Sequence, residues 1–133
     1  MAIHIQNGKR GINSNAGLTE NIHSIPFNIH ADCDADVSKY FYQSSENELK
    51  YASFRGYPLI GKEIKLPEGY KGVVLHETIR PSVETQDRKF YILHTFNKFT
   101  YWNWGKIPSP NDALVQAIDW IDIAEALHSP ITE

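Results

Sequence analysis

The feature that most restricts this sequence is a two-residue rhythm of apolar and polar side chains, repeatedly broken by turn-forming residues. A strand puts successive side chains on opposite faces, so such alternation marks segments lying in a sheet with one face covered. From Ile22 onward, His23, Ile25, Phe27 and Ile29 fall on one side and Ile22, Ser24 and Pro26 on the other. Pro26 has no amide proton to donate, which places this strand at an edge or a bulge. Asp32, Asp34 and Asp36 crowd a turn, after which Val37 to Tyr42 reads as an aromatic-rich strand and Gln43 to Glu48 as a polar loop. Leu49 to Phe54 and Leu59 to Leu66 alternate around Gly56 as a hairpin, and Pro67-Glu68-Gly69 supplies the turn into Tyr70 to His76. Glu77 to Arg88 is charged, contains Pro81 and reads as a surface loop. Phe90 to Phe96 and Lys98 to Trp104 are two further β-prone segments with Asn97 as the bend between them. Short strands at this density predict a mainly β fold, an antiparallel barrel or sandwich.

The two ends differ from the middle. Residues 1–18 are polar, rich in Gly and Asn and without period, so they read as a loose leader; 133 residues suit one domain, expected to span 19–133. After Ile107-Pro108-Ser109-Pro110, the residues Leu114, Ala117, Ile118, Ile121, Ala124, Leu127 and His128 recur at helical spacing and predict a C-terminal helix. Asp119 or Asp122 would cap a shorter helix, which leaves Asp112 to Ile118 open between helix and strand.

Composition removes several classes. Apolar residues make up 41% and charged residues 22%, ordinary globular values that rule out a disordered or collagen-like chain. No apolar run approaches the roughly 20 residues that span a bilayer, and the first residues lack a secretory pattern, so a soluble intracellular protein without membrane contact is expected. Cys33 stands alone, which excludes an internal disulfide framework and a multi-cysteine zinc site; it reads as a small buried apolar residue.

Most motifs that resemble chemistry fail on their next residue. Gly56-Tyr57-Pro58-Leu59-Ile60-Gly61-Lys62 matches the start of a phosphate-binding P-loop, but Glu63 occupies the position where a hydroxyl must hold magnesium, and a strand-like run follows instead of a helix. Asp32, Asp34 and Asp36 resemble the opening of a calcium loop, yet Val37 replaces the obligatory glycine and Gln43 stands where a bidentate carboxylate should close the site. The six histidines fall in no zinc-ligand spacing, and no serine or cysteine sits in a nucleophile-elbow context. The residues therefore point away from an enzyme acting by itself and imply no catalytic residue, cofactor or metal.

Aromatic residues reach 12%, concentrated in Phe99-Thr100-Tyr101-Trp102-Asn103-Trp104. Rings beside Lys and Arg are what single-stranded nucleic-acid grooves use. Strand alternation, however, splits this run into Phe99, Tyr101 and Asn103 against Thr100, Trp102 and Trp104, so one set is expected to enter a core. Charge is uneven: Lys50 to Gly72 carries five bases against two acids, residues 88–106 four bases and no acid, and residues 110–133 five acids and no Lys or Arg, within a net charge of −3. Aromatics that serve a second protein chain fit this balance better than a chain that grips nucleic acid alone, because interface cores are rich in rings and poor in charge.

Two blocks carry a family resemblance. The first is Ser53-Phe54-Arg55-Gly56-Tyr57-Pro58-Leu59-Ile60-Gly61-Lys62-Glu63, continuing through Leu66-Pro67-Glu68-Gly69-Tyr70-Lys71-Gly72. The second is Phe99-Thr100-Tyr101-Trp102, then Ile107 to Asp112, Ala117, Trp120 and Ile123-Ala124-Glu125-Ala126-Leu127-His128. In order and spacing they resemble the C subunit of eukaryotic ribonuclease H2 over roughly residues 22–128, with Ile25-Pro26-Phe27 and Tyr57 departing from the family pattern. The resemblance implies a non-catalytic chain interwoven with the B subunit in a triple barrel. The pair would support a catalytic A subunit that cuts RNA in RNA:DNA hybrids and at single ribonucleotides in DNA, in the nucleus. On that basis Phe54, Leu59, Ile64, Val74, Ile92 and Trp102 are expected in the core or barrel interface. Arg55 is expected to orient a turn or meet a neighbouring chain, and Trp120, Ile123 and Leu127 to pack the C-terminal helix against the barrel. Lys62, Lys65, Lys71 and Lys106 are candidates for steering hybrid toward the assembled enzyme. The rival is a stand-alone OB-like domain binding single-stranded nucleic acid; a small enzyme of its own is the third.

Overall fold

The computed structural model describes residues 1–7 and 22–132. Along these residues run β1 (Ile3–Asn7), β2 (His23–Ser24), α1 (Val37–Tyr40), β3 (Ser44–Glu46), β4 (Leu49–Phe54), β5 (Tyr57–Lys65), β6 (Gly72–His76), β7 (Arg88–Phe96), β8 (Lys98–Trp104) and α2 (Ala113–His128). They form two compact units. One holds a three-stranded sheet in the order β1-β7-β6, and the other a five-stranded sheet in the order β2-β8-β5-β4-β3 together with both helices.

The five-stranded sheet grows from two tight hairpins. Glu46 pairs with Leu49 and Phe54 with Tyr57, so each loop has two residues. Asn47 and Glu48 in the first loop, and Arg55 and Gly56 in the second, all have positive φ, the geometry whose twist matches that of the flanking strands. β8 then lies antiparallel to β5 from Leu59 opposite Trp104 to Lys65 opposite Lys98. β2 adds a short parallel pairing on the far side of β8, and it ends at Ser24, before Pro26.

Pairing register divides the side chains between two faces. One carries His23, Lys50, Ala52, Phe54, Leu59, Gly61, Thr100, Trp102 and Trp104. Its centre is the core: Trp102 is 0% and Leu59 1% exposed. Gly61 lies opposite Trp102, and a Cβ there would stand 2.6 Å from the indole, so only glycine leaves room for the ring. Phe41 packs edge-on against Trp102 at 5.5 Å, and Phe27 stacks on Phe54 at 4.6 Å, so the irregular segments after β2 and α1 lay rings over this face. The opposite face presents Leu49, Tyr51, Ile60, Lys62, Ile64, Phe99 and Tyr101, most of them half-buried.

In the three-stranded sheet β1 runs parallel to β7, and β6 runs antiparallel to it with an irregularity between Val74 and Leu75. Ile3, Ile5, Phe90, Ile92 and Leu75 share one face. Val74 and Ile92 are half-buried, whereas Ile3, Ile5 and Leu75 remain exposed.

Several expectations change. Val37 to Tyr42 is not a strand: its first four residues make one helical turn, closed by the Phe41 amide on the Val37 carbonyl and by Lys39 paired with Asp36. Ser44 to Glu46, expected in a loop, pairs with β4 although nothing apolar marks it. Ile3 to Asn7 of the leader is a strand, because its backbone finds the free edge of β7; residues 8–18 lie outside the described residues. Cys33 is exposed, since it sits in irregular chain beyond the last core ring of its segment. The sheets form no closed barrel among the described residues: β7 and β8 pair with different strands, one residue between them being too few for a hairpin. Asp112 to Ile118 resolves as the start of α2, with Asp112 at the N-cap. That helix has no buried residue, and Trp120, Ile123 and Leu127, expected to pack it against the barrel, are 59%, 46% and 71% exposed. Apolar residues occur nearly all round α2, and among the described residues none of them is fully buried.

Candidate interaction surfaces

The buried centre of the five-stranded sheet is fixed by one polar contact. The Trp102 indole N–H donates to His23 Nδ1 at 2.9 Å, which ties β2 to β8 and gives a fully buried donor its partner. Burial, then the Lys50 ammonium, pushes the His23 pKa below its ordinary value, so the ring stays neutral and its Nδ1 lone pair stays available. In the sequence His23 is marked only by its place among apolar residues on the inward side of a strand, and nothing there assigns it a role.

Asp112 organises the junction of β8 and α2. Its Oδ2 accepts from Asn103 Nδ2 at 2.7 Å and from the Ser109 amide at 3.1 Å, while Lys106 Nζ lies 3.6 Å from Oδ1. The Ser109 and Asn103 bonds and the Lys106 charge hold its pKa down. The carboxylate makes no bond to the helix amides, so this N-cap residue spends its acceptor on the incoming loop. In the three-stranded sheet, Arg88 forks onto Glu77 with bonds of 2.8 and 2.6 Å, anchoring the start of the 77–87 loop and lowering the Glu77 pKa.

The four candidate lysines are all exposed, and the three within the five-stranded unit do not cluster. Lys71 belongs to the other unit. Lys62 and Lys65 point to opposite faces of β5, and Lys106 faces Asp112. A different group does converge, at the turn end of β4, β5 and β8. Tyr57 and Trp104 lie 4.4 Å apart between ring centroids, Phe27 meets Trp104 edge-on at 6.4 Å, and the Arg55 guanidinium rests 5.4 Å over the Phe54 ring. Phe54, Ile64, Val74 and Ile92 are half-buried where core or interface was expected, and Leu59 and Trp102 fully buried.

Chemically these surfaces are suited to holding chains together. Among the described residues no three His, Cys, Asp or Glu side chains converge as a metal site would require, and no helix is long and apolar enough to cross a membrane. What the fold offers is rings and aliphatic strand residues left open, bordered by single charges.

Comparison with known proteins agrees with this character. Residues 21–90, just over half of the chain, match the model of the family described as ribonuclease H2 non-catalytic subunit (Ylr154p-like). Over 137 aligned residues the chain is 24% identical to the ribonuclease H2 C subunit of Mus musculus and 26% identical to that of Bos taurus, in each case covering 84% of this chain and 82% of the relative.

Proposed function

Because the chain belongs to the family of the ribonuclease H2 non-catalytic subunit, we propose that it serves as the C-type scaffold of a ribonuclease H2 complex. In this reading it interweaves with a B subunit, and the pair holds a catalytic A subunit that hydrolyses RNA in RNA:DNA hybrids and incises at single ribonucleotides in DNA, within the nucleus. The chain contributes strands and contact surface, and the reacting groups belong to the catalytic partner.

The observation that carries this is the mismatch between apolar content and burial. Among the large apolar side chains described, only Leu59 and Trp102 are buried, while Ile3, Ile5, Val73, Leu75 and Leu93 stay exposed on the three-stranded sheet and Trp120, Ile123 and Leu127 on α2. A sheet or helix hides its apolar face against a second layer, and apolar faces left exposed among the described residues are what a second chain would cover. Open edges at β3 and β6 among the described residues are consistent with strands completed by another chain, the route by which a triple barrel would close.

Co-expression tests the reading. The chain expressed alone should aggregate or stay unfolded, and co-expression with the B subunit should bring it into solution as a stoichiometric complex. A monomer that melts cooperatively and binds single strands with a strong salt dependence would favour the OB-like alternative. Hybrid cleavage by the isolated chain would overturn the scaffold role.

A further inference from the structure

We infer that the tip of the β4–β5 hairpin is a recognition site for an acidic segment of a partner protein, with Arg55 taking a carboxylate and the Tyr57–Trp104 pair taking the apolar side chain beside it. The inference rests on the scaffold reading and adds the contact that reading leaves open. Arg55 occupies the first position of a two-residue turn with φ of 50°, a left-handed conformation that L side chains adopt at a cost. Asn or Gly would relieve that cost, since Asn-Gly is the favoured pair for this turn. A strained arginine held where a better turn residue exists points to the side chain, and not the turn, as what the position serves.

Its surroundings prepare it for an anion. The guanidinium rests 5.4 Å over the Phe54 ring, and Phe54 is itself backed by Phe27 at 4.6 Å, so the fork is braced from below by two stacked rings. Arg55 is exposed and makes no ion pair or side-chain hydrogen bond among the described residues, which leaves its planar donors free for a bidentate acceptor. Beside it Tyr57 and Trp104 contact each other while remaining 52% and 48% exposed. The only other charge in the adjoining segments 53–59 and 102–107 is Lys106, which faces Asp112.

A carboxylate fits better than a nucleic-acid strand. A strand of phosphates needs a track of cations, whereas this end of the sheet offers one free fork. On the same face Lys50 stands four positions back along β4, about 13 Å away, and faces Glu63 at 3.8 Å; Lys65 and Lys98 stand six positions along the β5–β8 ladder, about 20 Å away at about 3.3 Å per residue.

The test uses the chain co-expressed with the two other ribonuclease H2 subunits, wild type against Arg55→Asn and Arg55→Lys, with assembly followed by dissociation at rising dilution and salt. Arg55→Asn should weaken assembly about tenfold or more, the loss expected for a charge-assisted hydrogen bond, although it improves the turn. Arg55→Lys should fail to restore it, because an ammonium lacks the planar fork. An Arg55→Asn complex as tight as wild type or tighter would show a turn residue and overturn the site. Intact assembly with weakened hybrid binding would also overturn it, giving the arginine to phosphate. Failure of the wild-type chain to assemble would sink the scaffold reading and the site together, so the two failures are distinguishable.

Discussion

Gly61 and His23 show how narrowly single residues set the buried centre. A methyl group at Gly61 would meet the Trp102 ring at 2.6 Å, and neither the ring nor strand β5 has slack to give. Gly61→Ala should therefore cost about 1–3 kcal/mol, read as a lowered melting temperature of the co-expressed complex, as overpacking of a tight core does. His23 carries a pH dependence. Burial and Lys50 hold its pKa below the ordinary imidazole value of about 6.5, so the unfolded chain takes up a proton more readily than the folded one. Its contribution is complete above that ordinary value and is lost as pH falls through the lowered one. The melting temperature of the co-expressed complex should fall as the pH drops below about 6.5, while Asp112 and Glu77, both held low, act only in the carboxylate window below about pH 4. His23→Gln keeps an acceptor for the Trp102 indole without a titrating ring and should flatten the upper window; an unchanged slope would remove His23 as its source. Strand alternation said only that one of two ring sets enters a core, and the family resemblance put Trp102 in the core or interface. The indole's partner was not legible, because 79 residues separate them and only strand pairing brings them together.

At the scale of elements, α2 and its junction behave differently from the sheet they follow. Asp112→Ala removes the acceptor shared by Asn103 and Ser109, so the link between β8 and α2 should loosen, seen as faster amide exchange over residues 105–112 with the β4–β5–β8 ladder still protected. Truncation before Asp119 removes the exposed Trp120, Ile123 and Leu127. It should weaken the co-expressed complex while amides of the β4–β5–β8 ladder stay protected within it; loss of that protection would mean that the helix supports its own chain. Elements with strong local signals were readable: the Arg55-Gly56 hairpin, β7 and β8 around Asn97, and a C-terminal helix whose first turns, up to Ile118, stayed open between helix and strand. Val37 to Tyr42 and Ser44 to Glu46 were not. The first is β-prone by composition but closes a helical turn through Asp36 and Lys39, and the second becomes a strand only because β4 lies beside it.

For the whole chain, the decisive quantity is the apolar surface left exposed among the described residues. Supplying the B and A subunits in co-expression should convert an insoluble chain into a stable complex, and the gain should grow with partner concentration, as binding to the folded form alone requires. Local chemistry in the sequence by itself determined the mainly β character, the tight turn at Arg55-Gly56, the C-terminal helix and the family, because periodicity, turn residues and motif order are properties of neighbouring positions. Only the tertiary structure decided that β7 and β8 part into different sheets, that His23 meets Trp102, that Lys62 and Lys65 point to opposite faces and that Arg55, with no ion pair among the described residues, rests over Phe54. Those outcomes depend on which distant strands pair and in what register, and a shift of one residue would move every side chain to the other face.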